Sequence, residues 1–163
     1  MNNMTWKYDE ETGRYIIKGA RILFPNFEGL EQDYNMAGRR NFRLSLNESL
    51  AEEMRSRGVY VREREGRTED EERQYLTKVG VYRDADVRLL SGRAMTALTP
   101  DTFKMVDREY QKGHIINGDI DLEIHISKNT KVATSSPYVR LDTAIIPIRK
   151  SKLLEDYEDY EED

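Results

Sequence analysis

The chain has 163 residues, of which 37% are hydrophobic and 35% charged, and its formal net charge at pH 7 is −5. This length suits one domain with a core of its own, and no apolar stretch is long enough to cross a bilayer. The absence of cysteine excludes disulfides, cysteine-ligated zinc and thiol nucleophiles. The N-terminus lacks an apolar signal-peptide core, so we expect a soluble intracellular protein.

The negative charge is concentrated at the C-terminal end. Residues 155–163 contain seven acids and no base, whereas the rest of the chain has 26 bases and 24 acids. Blocks of like charge repel one another, remain disordered and often serve as interaction tails. We therefore predict a disordered acidic tail over residues 151–163. The tail either only keeps the chain soluble, or competes for a cationic groove, or binds partner proteins. Its partner-binding residues are expected to be Glu155, Asp156, Tyr157, Glu158, Asp159, Tyr160, Glu161, Glu162 and Asp163.

Two predicted strands flank a loop that contains aromatic, Gly and Asn residues. An irregular segment, residues 1–13, precedes a strand over residues 14–24, in which Gly19 marks a bulge or bend. A loop over residues 26–37 leads to residues 39–46. These alternate between polar and apolar side chains, which predicts a half-buried strand.

Shorter elements follow. Asn47 is expected to cap a helix, and Thr99-Pro100 is expected to begin a second one. Residues 59–61 predict a short strand, and residues 62–73 a charged loop. The other predicted strands are residues 75–82, 87–90, 119–127 and 138–148. About five main strands with short helices predict a mostly β fold, a small barrel with insertions over residues 14–150.

Basic and aromatic residues are interleaved along the first three main strands. Proteins that bind single strands combine a cationic groove with rings on which bases stack, each stack contributing about 1–3 kcal/mol. The predicted DNA-binding residues are Lys18, Arg21, Phe24, Phe27, Tyr34, Arg39, Arg40, Asn41, Arg43, Lys78 and Tyr82. The cations are expected to contact phosphates, and bases to stack on some of the rings. The alternative is that the rings belong to the core and the cations to an ordinary surface.

Three carboxylates on the predicted strand at residues 119–127 suggest a different function. Asp119, Asp121 and Glu123 share one face, as a magnesium-dependent nuclease would require, although a solvated strand face is the simpler interpretation. No Gly-rich phosphate loop or nucleophile elbow occurs. A third hypothesis is a protein–protein adaptor of a replication or recombination complex, with the tail as its hook.

Several segments occur in an order that is similar to one family. They are Ala20-Arg-Ile-Leu-Phe24-x-Asn26-Phe27-x-Gly29, Tyr34-Asn35-x-x-Gly38-x-Arg40-Asn41-Phe42, Tyr75 to Val81, Val87 to Arg93, Leu98 to Asp101, Asp119 to Ile124 and the acidic C-terminus. This order resembles the bacteriophage single-stranded DNA-binding proteins with an OB fold. In the family, an aromatic, often Trp, lies in the polar hairpin after the strand matching residues 119–127. Here residues 127–136 hold none, and Tyr138 is the nearest ring.

The resemblance implies a five-stranded OB-fold barrel with short helices and loop insertions. It implies a protein that coats and protects single-stranded DNA, without sequence preference, during phage replication or recombination in the cytoplasm of the bacterial host. It implies no enzymatic activity, no cofactor and no metal. The expected partners are single-stranded DNA and, through the acidic tail, replication or recombination proteins, and the sequence leaves homo-oligomers open.

Overall fold

Nine strands and two helices occur in the part of the chain that the computed structural model describes, residues 3–30, 38–66, 73–128 and 136–149. The strands are β1 (Thr5–Asp9), β2 (Arg14–Asn26), β3 (Arg40–Leu46), β4 (Arg62–Arg64), β5 (Gln74–Val81), β6 (Asp86–Ser91), β7 (Ala94–Leu98), β8 (Ile120–Ser127) and β9 (Tyr138–Pro147). The helices are α1 (Glu48–Ser56) and α2 (Lys104–Gln111). No helix in these ranges has the length and apolar character that a membrane crossing requires.

Five of the strands close into a barrel. β2 pairs antiparallel with β3 and β8, β3 pairs with β5, and β8 pairs with β9. The ring closes where Val79 and Gly80 of β5 pair in parallel with Val139 and Arg140 of β9. This strand order is that of the five-stranded Greek-key barrel known as the OB fold. The predicted fold class is therefore confirmed.

Alternation of side chains builds the barrel wall. Phe42 and Leu44 of β3 are fully buried, as are Ile120 and Ile124 of β8. Arg43, between Phe42 and Leu44, faces outward, as do Asp121 and Glu123 on either side of buried Leu122, because successive side chains of a strand point to opposite sides of the sheet. The predicted cap of α1 is also present, since Asn47 Oδ1 accepts a hydrogen bond of 3.0 Å from the Leu50 amide.

Bulges in β2 allow that strand to pair with β1, β3 and β8. The pairing with β8 shifts register between Ile17 and Ala20, and Gly19 has a φ of +72°. A side chain at Gly19 would also meet the carbonyl oxygens of Asn3 and Gly118 at 3.3 Å. The bulge predicted at Gly19 is thus confirmed, and its backbone conformation favours glycine.

The N-terminal segment differs from its prediction. Residues 5–9 form β1, which pairs with β2 from Thr5↔Lys18 to Asp9↔Arg14. The expected irregular segment over residues 1–13 was therefore wrong. Trp6 and Tyr8 of β1 alternate with polar residues and pack on Tyr15, but two rings are too short a pattern to predict a strand.

Three further elements depart from the sequence analysis. The strand expected at residues 59–61 lies at β4 instead, where Arg62–Arg64 pairs with β5. α2 begins at Lys104 rather than at Thr99, because Thr102 N donates to Thr99 O (2.9 Å) in a separate turn. β7 was missed, since four of its five residues are exposed and apolar and polar residues do not alternate along it.

Candidate nucleic-acid interface

The outer face of β3 and β5 carries a row of cations. The two strands pair in register, with Arg43 opposite Lys78 and Asn41 opposite Gly80. Arg39 immediately precedes β3 and, by the two-residue period of a strand, shares the face of Asn41 and Arg43. The inward-facing neighbours Phe42 and Leu44 fix this arrangement by their burial, because a slip of one residue would turn every side chain to the other face.

The positive charges on this face repel one another. Partial burial and then the neighbouring Arg43 and Arg39 lower the pKa of Lys78. Partial burial and then Arg62 lower the pKa of Arg43. Arg43, Lys78 and Arg62 form no ion pair with any described residue. A surface of this kind favours an anionic ligand, which would relieve the repulsion.

Arg43 also has an unused donor. Its Nη1 is buried and has no hydrogen-bond partner among the described residues. Buried polar groups in folded proteins are nearly always hydrogen-bonded, so an orphan donor on a guanidinium suggests a missing acceptor. Phosphate oxygens are acceptors that suit the planar guanidinium fork.

A groove of about 910 Å³ runs along this face, and three tyrosines line it: Tyr60, Tyr82 and Tyr138. Tyr60 follows buried Val59 and is 78% exposed. The Arg140 guanidinium lies 3.9 Å from the centre of the Tyr82 ring. Cations and exposed rings in one groove are the combination that holds a backbone with unstacked bases.

Gly80 determines where the Tyr82 ring lies. A Cβ atom on Gly80 would come within 3.0 Å of Cε2 of Tyr82, so the ring rests against the strand backbone at a position without a side chain. Arg140 is in turn held by Asp84 at 3.5 Å. Tyr82 is therefore held beside the cations of β3 and β5.

Phe24 follows Leu23, the cross-strand partner of Arg43, and has a strained backbone conformation. It falls in the second bulge of β2, between the pairs Leu23↔Arg43 and Asn26↔Asn41. Its φ is +50° and its side chain is 64% exposed. Non-glycine residues in the left-handed region are uncommon, and such strain clusters at functional sites. The prediction that Phe24 contacts a base is consistent with this geometry.

The stem of the loop between β2 and β3 is anchored by two polar side chains. Asp107 of α2 accepts hydrogen bonds from the amides of Phe27 (2.8 Å) and Glu28 (2.9 Å). Asn26 Oδ1 accepts from the amides of Gly29 and Leu30. Tyr34 of this loop lies outside the described residues, as does the whole acidic tail from Glu155 to Asp163.

The predicted ring Phe27 belongs to the core. It is 1% exposed and stacks on Phe42, with ring centroids 5.5 Å apart and planes at 9°. A base has no access to it, so the assignment of Phe27 as a DNA-stacking residue was wrong. The prediction rested on the composition of the loop. The Phe27 amide donates a hydrogen bond to Asp107, and this contact turns the chain back toward the barrel.

Three predicted cations lie away from the row on β3 and β5. Lys18 pairs with Asp121 of β8 at 3.5 Å. Arg21 pairs in register with Ser45, and its Nη2 lies near the turn at Gly118. The Arg40 backbone borders the groove, but its guanidinium lies 5.6 Å from the centre of the Phe103 ring. Arg40 alternates with Arg39 and so shares the face of Phe42, which the sequence analysis did not take into account.

Two of the three carboxylates that suggested a nuclease are used in ion pairs. Asp121 contacts Lys18, and Glu123 contacts Arg14 at 3.3 Å. Both are therefore cross-strand partners of β2 cations. Within the described ranges, no group of three His, Cys, Asp or Glu side chains is placed to hold a metal ion.

Sequence reasoning missed Tyr60 and Arg140. Tyr60 lies between buried Val59 and Val61, and Arg140 lies between buried Val139 and Leu141. Alternation around these apolar residues was the signal that could have placed both side chains on the outside. Tyr138, noted only as the ring nearest the hairpin, faces outward by the same alternation.

β3 and β5, the second and third strands of the barrel, carry cations beside exposed rings. An OB barrel with such a surface defines an OB-fold protein of the oligonucleotide-binding class. Residues 4–92, which include both of these strands, match the family described as putative phage ssDNA-binding domain. The chain belongs to this family. No curated protein matches it significantly.

Solved structures with similar folds include those of a protein from bacteriophage Enc34. Its single-stranded DNA-binding protein with a C-terminal truncation matches with a TM-score of 0.53 at 8% identity, covering 91% of this chain and 97% of that one. The same protein in complex with ssDNA matches with a TM-score of 0.53 at 8% identity, covering 93% and 98%. At this identity the likeness shows the fold.

Proposed function

We propose that this chain binds single-stranded DNA along the outer face of β3 and β5, without sequence preference. The observation that carries the proposal is the cross-strand pair Arg43 and Lys78, two cations in register beside a groove lined by exposed tyrosines. The family and the fold agree with this assignment.

In the proposed complex, phosphates contact Arg39, Arg43 and Lys78. Bases stack on Tyr60, Tyr82 and Tyr138, with Phe24 as a further ring at the β2 bulge. Every base has a π face, so stacking is tolerant of sequence. Lys18 is left out of this path because Asp121 neutralises it, and Arg40 is left out because its guanidinium covers Phe103. Arg21, Asn41 and Tyr34 remain predicted contacts.

The proposed role is to coat and protect single strands during phage replication or recombination, in the cytoplasm of the host. We propose no catalytic activity, since two of the three carboxylates considered for a nuclease, Asp121 and Glu123, are engaged with Lys18 and Arg14. The acidic tail is proposed to compete with DNA for the groove and to bind replication or recombination proteins.

Fluorescence anisotropy with labelled oligo-dT and with duplex DNA, each at two salt concentrations, tests the proposal. We expect tighter binding to oligo-dT, with a log–log salt slope of about −0.7 per phosphate neutralised. Three contacts would give a slope of about −2. Equal or absent binding to the two DNAs contradicts the proposal. A stable complex with a replication protein but no DNA affinity would instead favour the adaptor hypothesis.

A further inference from the structure

The sheet ends at an unusual edge strand. β7 pairs with β6 from Val87↔Leu98 to Ser91↔Ala94, and no described strand pairs with its other side. Ala94, Met95, Thr96 and Ala97 are all exposed. The β6–β7 hairpin therefore extends the sheet beyond β9 and ends in one open edge.

The hairpin turn determines which backbone groups this edge presents. The strands are joined by two residues, Gly92 and Arg93, and Gly92 has a φ of +60°. In such a tight hairpin the closing pair, Ser91 and Ala94, is hydrogen-bonded. Hydrogen-bonded and non-bonded pairs then alternate along the ladder. It follows that the N–H and C=O groups of Met95 and Ala97 point away from β6, out of the open edge.

Within its five residues, β7 lacks the charge, proline and bulge by which proteins commonly block edge pairing. Native edges are usually protected by charge, proline, bulges or shortness, and β4, at the other end of the sheet, consists of Arg-Glu-Arg. β7 reads Ala-Met-Thr-Ala-Leu, with no charge and no proline. An identical strand would bring no charged side chain of its own against this edge.

We propose that β7 pairs antiparallel with β7 of a second copy of this chain, about a two-fold axis at Thr96. In this register Met95 of each copy lies opposite Ala97 of the other, and the outward N–H and C=O groups of both residues are satisfied on both chains. The pairing is isologous, so it closes as a dimer. β6 joins the barrel through the second half of β9, Thr143 to Pro147, so both grooves remain open.

The two-fold register makes a charge-swap test possible. Thr96 would face its own copy as a non-hydrogen-bonded pair, in which the side chains are close together. Thr96→Lys and Thr96→Glu would each place two like charges on the axis. We expect each variant alone to sediment as a monomer at concentrations at which the wild-type chain sediments as a dimer. An equimolar mixture of the two should restore the dimer.

Sedimentation of the wild type as a monomer over the whole accessible concentration range overturns the proposal. So does a dimer that persists in Thr96→Lys, because the interface then lies elsewhere. Circular dichroism of each variant shows whether the fold is intact, and the rescued mixture is itself proof of folding. The proposal does not rest on DNA binding, and affinity for a short oligo-dT should be the same in Thr96→Glu and the wild type.

Discussion

Arg43 and Lys78 lie directly opposite each other on neighbouring strands, two cations in one cross-strand pair. Opposite charges in a cross-strand pair stabilise a sheet by roughly 0.2–1 kcal/mol, and like charges destabilise it. We expect the Arg43–Lys78 pair to cost a similar amount. Neither forms an ion pair with a described residue. A bound phosphate would turn this repulsion into attraction, which links the stability of the barrel to its occupancy.

Replacement of Lys78 by Gln is therefore expected to affect stability and binding in opposite directions. The free energy of unfolding should rise by up to about 1 kcal/mol at low salt, since the repulsion is removed. The oligo-dT salt slope should become less negative by about 0.7. Urea unfolding and anisotropy measure the two effects. Lys7→Gln, at an exposed residue of β1, is the matched control and should change neither; a loss of both stability and affinity in Lys78→Gln would contradict this explanation.

The Tyr82 ring depends on the absence of a side chain at Gly80. Gly80→Ala would bring a methyl group within 3.0 Å of the ring and displace it, while the strand conformation admits alanine. We expect weaker oligo-dT binding with a smaller loss than in Tyr82→Ala, which removes a stack of about 1–3 kcal/mol.

A double-mutant cycle shows whether Gly80 acts through Tyr82. In the Tyr82→Ala background, Gly80→Ala should have no further effect on affinity, because residues that share one contact are not additive. Additive losses would mean that Gly80 is needed for another reason.

The sequence could predict the barrel because its wall follows a simple period. Phe42 and Leu44 alternate with Asn41 and Arg43, and burial of the apolar pair is what places Arg43 outside. Alternation does not place Phe27, because its position depends on a hydrogen bond from its amide to Asp107, eighty residues away. β1 was missed as well, since its period consists of Trp6 and Tyr8 alone, which pack on Tyr15 from a short hairpin.

Phe24 offers a way to separate strain from function. At a φ of +50°, glycine is free of the strain of roughly 1 kcal/mol that any other residue bears. Phe24→Gly should therefore be more stable than Phe24→Ala by about 1 kcal/mol, although both remove the same exposed ring. Both should bind oligo-dT more weakly than the wild type, and to the same extent. Thermal unfolding and anisotropy test this, and unchanged affinity in both variants would exclude Phe24 from the interface.

Two carboxylates should give the stability opposite dependences on pH. Burial is the main cause that raises the pKa of Asp107. The contribution of Asp107 to the free energy of unfolding is therefore full below its ordinary pKa and is lost as pH rises through the raised value. Hydrogen bonds from Arg57 and Tyr15 lower the pKa of Glu53, so its contribution is present above its ordinary pKa and is lost as pH falls.

Urea unfolding from acid to neutral pH tests these signs. The stability difference between the wild type and Asp107→Asn should shrink as pH rises, whereas the difference from Glu53→Gln should grow. Each variant is the control for the other, because both remove one carboxylate from the same barrel. Parallel pH dependences for the two variants would contradict the assigned causes.

The acidic tail and the groove should be coupled if they compete. Deletion of residues 155–163 removes seven acids and is expected to tighten oligo-dT binding at low salt, with a smaller effect at high salt because ions screen the competing charges. The gain should be reduced in Lys78→Gln, since one of the cations for which tail and DNA compete is then absent. Anisotropy of the full chain, the deletion, Lys78→Gln and the double variant completes the cycle. An equal gain in both backgrounds would show that the tail acts away from Lys78, through the net charge of the chain alone.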